Sequence, residues 1–121
     1  VHIQSSSKAF AAIRADGSVV TWGNPESGGN SSAVRDRLHN VQHIQASSRA
    51  FAAIRDDGSV VTWGDAEFGG DSSAVQGQLK NVQQIQASDS AFAAIVGDGS
   101  VVTWGDADWG GDSSGVRDQL K

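Results

Sequence analysis

The chain has 121 residues, a net charge of −5 and only 9 Lys and Arg, which are dispersed, so a nucleic-acid partner is not expected. Apolar residues make up 38% and aromatics 7%, and no apolar run approaches the ~18 residues of a membrane helix, so no membrane span is expected. Cysteine is absent, which excludes disulfides, thiolate metal sites and cysteine nucleophiles together. Methionine is absent too, and a chain that starts at Val1 is expected to be a processed product or a part of a longer one.

The sequence repeats with a period of 41 residues, which places Ile3, Ile44 and Ile85 in register, and likewise Phe10, Phe51 and Phe92, and Trp22, Trp63 and Trp104. Residues 44–80 and 85–121 are identical at 28 of 37 positions. One repeat domain therefore covers 1–121, with units of about 1–40, 41–81 and 82–121.

The second unit shows the elements in chain order. Residues 41–46 alternate apolar and polar, the period of a strand, and residues 47–49 form a polar turn. Residues 50–54 (AFAAI) are apolar on both faces, as in a strand covered on both sides, and their alanines allow close approach. Asp57-Gly58 marks a tight hairpin, and Val60-Val61-Thr62-Trp63 is a β-branched strand ending in an aromatic. A loop follows through Gly69-Gly70. Residues 72–80 then carry Val75 and Leu79 four apart, which predicts a short helix of one or two turns that Gly77 opposes. The predicted class is all-β: three blades of about three antiparallel strands, with Trp63 buried between its own blade and an adjacent one.

The run V-x-x-I-x-A, then A-F-A-A-I, then D-G-S-V-V-T-W-G and a downstream Gly resembles the regulator of chromosome condensation repeat. All three units carry the D-G-S-V-V-T-W-G core, and the match spans nearly the whole chain. The chain departs from the family pattern at Ala9, Ala50 and Ala91, which stand where the family usually has His, and in its shorter period. The resemblance implies a β-propeller. Three blades do not close a ring, because propellers usually have about four to eight, so an open or partial propeller is expected. Its end blades keep the same apolar residues as the middle one, with no polar cap. Such a chain is expected not to persist as an isolated stable monomer, and further repeats, a second copy or another protein should cover its ends.

No residues form a catalytic constellation, so neither enzyme activity nor a cofactor is expected. Trp22, Trp63 and Trp104 read as core anchors rather than a ligand cage. Asp106, Asp108 and Asp112 have the look of a cation loop, but no Glu closes it, and turn-forming is the better reading. His2 and His43 occupy equivalent positions of the repeat, where the third unit has Gln84, and His39 stands at another phase, so a catalytic or ligand role is not expected of them. Differences between units fall in turns and loops, where repeat scaffolds hold partners. These positions make Phe68, Trp109, Arg49, Arg55, Glu67 and Asp108 the candidate interface residues. The expected function is a protein-interaction or scaffolding module, such as an accessory subunit of a larger assembly. The alternatives are a carbohydrate-binding propeller using Phe68 and Trp109 as stacking platforms, and, by the resemblance, a guanine-nucleotide exchange regulator.

Overall fold

The computed structural model describes residues 2–106 and 108. The first sheet consists of β1 (His2–Ser5), β2 (Ala9–Ile13) and β3 (Val19–Gly23). The second has β4 (Val41–Ala46), β5 (Ala50–Arg55) and β6 (Val60–Gly64), and the third β7 (Gln84–Ala87), β8 (Ala91–Ile95) and β9 (Val101–Gly105). Each sheet is an antiparallel meander with its strands in sequence order. The architecture is all-β, three equivalent three-stranded blades, as the periodicity predicts. The third inner strand starts at Gln84 rather than Val82. Val82 is nonetheless buried, and its amide donates to Gly58 O at 2.9 Å.

The hairpin is a three-residue loop. Arg55 O accepts from Gly58 N, and Arg55 N donates to Ser59 O, both at 2.9 Å. Gly58 has φ of +82°, the left-handed region that glycine tolerates. The loop is fixed by Asp57, whose Oδ1 accepts from Ser59 N (2.9 Å) and Ser59 Oγ (2.6 Å). Asp16 with Ser18 and Asp98 with Ser100 repeat the arrangement. These bonds, the hydroxyl first, favour the carboxylate and lower the pKa of all three aspartates. A lowered folded-state pKa gives stability that is present above the ordinary carboxylate value and is lost as pH falls through the lowered one. The melting temperature should therefore drop on acidification through and below the usual Asp range, and an Asp16→Asn, Asp57→Asn, Asp98→Asn triple variant should show a flatter profile. Equal slopes in the two proteins would contradict this.

The segment predicted as a short helix is a six-residue 3-10 stretch, Ser73–Gln78, and Ser32–Arg37 is its equivalent in the first unit. Gly77 disfavours regular helix, and Ser72 does not cap the amides. Its hydroxyl lies 2.9 Å from Thr62 Oγ1 and accepts from Gln76 Nε2 at 2.7 Å, which ties the returning chain to the outer strand. Leu79 is buried and Val75 packs partly against the core.

Two cores lie between the blades, and each has the same construction. One face of β4–β6 presents Ile44, Phe51, Ala53, Val61 and Trp63, and this face packs on Ala9, Ala11 and Ile13 of the first blade. The opposite face presents Ala50, Ala52, Ile54 and Val60, and it covers Ile85, Phe92, Ala94, Val102 and Trp104 of the third. Each joint thus sets an aromatic face against an alanine face. Phe51 and Trp63 are cross-strand partners, their rings stacked 5.4 Å apart, and the Trp63 indole donates to Gly28 O at 3.1 Å in the preceding unit. Trp104 repeats this with Gly69 O at 3.1 Å. A line of backbone acceptors also joins the blades. Ser7 N and Oγ both donate to Ser48 O, and Ser48 N and Oγ both donate to Asp89 O, at 2.7–2.8 Å.

Candidate interaction surfaces

The loops divide between two rims. The β4–β5 turn and the loop after β6 lie at one end of the blade, while the β5–β6 hairpin and the linker to the next blade lie at the other. In the first rim, Asp65 caps the 3-10 turn Ala66–Phe68 by accepting from Glu67 N at 2.9 Å. The buried Ser47 hydroxyl donates to Phe68 O at 2.6 Å and fixes the loop over the inner turn. Arg49 reaches across from that turn, its guanidinium carbon 5.1 Å from the Phe68 ring centroid and a nitrogen 3.9 Å from Asp65.

The structure therefore brings together Arg49, Glu67 and Phe68, with Glu67 exposed, Arg49 half-exposed and Phe68 packed partly on the core below. Arg55 lies on the opposite rim, where its Nε donates to His39 O at 3.2 Å. Asp108 occupies the third unit's equivalent of Glu67, its amide donating to Asp106 Oδ1 at 2.9 Å. Trp109 lies outside the described residues. Asn24, Asp65 and Asp106 each place a side-chain oxygen on the amide two residues ahead, the role of a turn former. Among the described residues no group of three or more His, Asp or Glu could hold a metal ion. The inner strands line a cavity of about 340 Å³ with His2, Gln4, His43, Gln45, Gln84 and Gln86, so the two histidines sit among uncharged amides.

The two ends of the stack are surfaces that the apolar pattern located without showing how they differ. The first blade turns its aromatic face outward. Phe10 and Trp22 are each 44% exposed, against 0% for Phe51 and 4% for Trp63, and Ile3 and Val20 lie exposed beside them. The expectation that every repeat tryptophan is a buried anchor thus fails at Trp22, whose face is packed on by no blade among the described residues. The third blade turns its alanine face outward. Ile95 is 40% exposed against 5% for Ile54, with Ala93 and Val101 partly open.

Three-stranded meanders stacked face to face, with the return segment outside and polar inner strands around a common cavity, are blades of a β-propeller. The solved structures it matches are of that kind. Human WBSCR16 matches at a TM-score of 0.62 and 20% identity, covering 87% of this chain and 34% of that one. Yeast RCC1 (Prp20), in a structure with bound Kap60, matches at 0.61 and 18%, covering 87% and 29%. Prp20p from Saccharomyces cerevisiae, in a study of its binding to Gsp1p and histones, matches at 0.59 and 17%, covering 86% and 30%. The chain has the RCC1-like propeller fold and spans about a third of the length of these proteins. No family model and no curated protein sequence matches it. No helix among the described residues is long and apolar enough to cross a membrane.

Proposed function

We propose that the chain is a non-enzymatic protein-interaction module, an accessory part of a larger assembly, which holds its partner on the rim where Arg49, Glu67 and Phe68 meet. The observation that carries this reading is the Arg49 guanidinium lying on the Phe68 ring beside Asp65. It combines an arginine and an aromatic, the residue types that dominate protein interfaces, on a scaffold fixed by the Ser47 bond. That propellers of this fold have been solved with or tested against protein partners, Kap60 in one case and Gsp1p and histones in another, supports the same kind of role. The carbohydrate reading is weaker, since a sugar stacking on Phe68 would have to displace Arg49. The nucleotide-exchange reading rests on the resemblance alone.

The test is a photo-crosslinking amino acid placed at Glu67 and, separately, at Arg55. Crosslinks to a defined protein from position 67, abolished by Arg49→Glu and not seen from position 55, are the expected result. Equal crosslinking from both rims, or none from position 67, would refute the assignment.

A further inference from the structure

The two open ends are the two halves of one joint. Inside the chain that joint occurs twice, and each time an aromatic face (Ile44, Phe51, Val61, Trp63 or Ile85, Phe92, Val102, Trp104) closes on an alanine face from the preceding blade. The free aromatic face of the first blade carries Ile3, Phe10, Val20 and Trp22, the same residue types at the same registers, with the Phe10–Trp22 stack already formed at 5.5 Å. The alanine face of the third blade carries Ala93, Ile95 and Val101, which are partly or fully open, beside the buried Ala91, and the four match Ala52, Ile54, Val60 and Ala50 position for position.

From this we infer that the chain binds a second copy of itself head to tail, the first blade of one copy closing on the third blade of the other. The contact continues the interface already established between blades and joins the same two kinds of strand face. It is heterologous: one copy gives its aromatic face and the other its alanine face. Made reciprocally between two copies, the contact covers both faces of every blade, including the aromatic and alanine faces that lie open in a single copy. Two copies bring six blades together, within the range of about four to eight in which propeller rings close. The interaction is independent of the Arg49 rim, which lies on a different surface.

Two variants and their mixture test it. Phe10→Asp with Trp22→Asp spoils the aromatic face, and Ala93→Asp with Ile95→Asp spoils the alanine face. Circular dichroism establishes that each keeps its strands. The unmodified chain should rise from 12.5 kDa toward twice that mass across a micromolar concentration series in light scattering. Each variant alone should stay at monomer mass, yet an equimolar mixture should form a one-to-one dimer, because one intact face of each kind remains. The Arg49→Glu chain should associate as the unmodified chain does, which separates this proposal from the rim assignment. An unmodified chain that remains monomeric throughout, variants that still self-associate, or a mixture that does not pair would each overturn it.

Discussion

Trp63→Ala should destabilise the fold by about 3–5 kcal/mol, the range for truncating a large buried aromatic. Trp22→Ala, at the same position of the first blade, should cost no more than about 1–2 kcal/mol. The two residues share their strand position and their stacked phenylalanine. They differ in what lies in front of them. Trp63 is enclosed by Ala9, Ala11 and Ile13 and bonded to Gly28 O at 3.1 Å, whereas Trp22 faces outward. Removing the Trp63 indole empties the joint and leaves that carbonyl without its donor. Urea denaturation at concentrations low enough to keep the chain monomeric gives both values, and equal losses for the two variants would show that the blade joint contributes nothing.

The second large effect is expected at Gly69. Its φ of +96° is a conformation that side chains rarely adopt, and an added Cβ would stand 2.5 Å from Cδ2 of Phe92. Gly69→Ala should therefore lose about 2–4 kcal/mol, backbone strain together with displacement of the ring. Gly77→Ala supplies the opposite sign: no atom lies within 4 Å of its would-be Cβ, and its φ is ordinary. That variant should gain about 0.4–1 kcal/mol from a less flexible unfolded chain. Both are read as shifts in the urea midpoint. A neutral Gly69→Ala would mean that the loop can move away from Phe92.

Why the two glycines differ shows what could be read from the sequence and what could not. The strands were legible because hairpin and strand chemistry recur at fixed phase: Asp57-Gly58 is the turn, and the residues of Ala50–Ile54 are buried on both sides. The direction of stacking was not. Apolar residues on both faces require two neighbours, but which face meets which depends on ring size set against alanine, a relation between units and not within one. That direction leaves Trp22 exposed and Trp104 enclosed. The rim was legible only in part, because Arg49 and Phe68 meet through a loop whose path depends on the Ser47 bond. Arg55 could have been separated from them beforehand, since it stands at the far end of the strand that begins beside Arg49.

The joint between blades also bears on how such a chain changes over generations. Every unit carries both a front and a back half of the joint, so an in-frame duplication of any stretch of 41 residues, wherever its breakpoints fall, creates a new junction that already fits. Lengthening by whole units therefore preserves the fold, whereas a single substitution such as loss of Trp63 damages it. Asp89 illustrates where drift is free: it accepts from Ser48 through its main-chain oxygen, so its side chain can differ from serine without breaking the line. Copies are thereby held alike in their strands and released to diverge at the rims, where Glu67 is replaced by Asp108 at the equivalent position of the next unit and new binding preferences can arise one blade at a time.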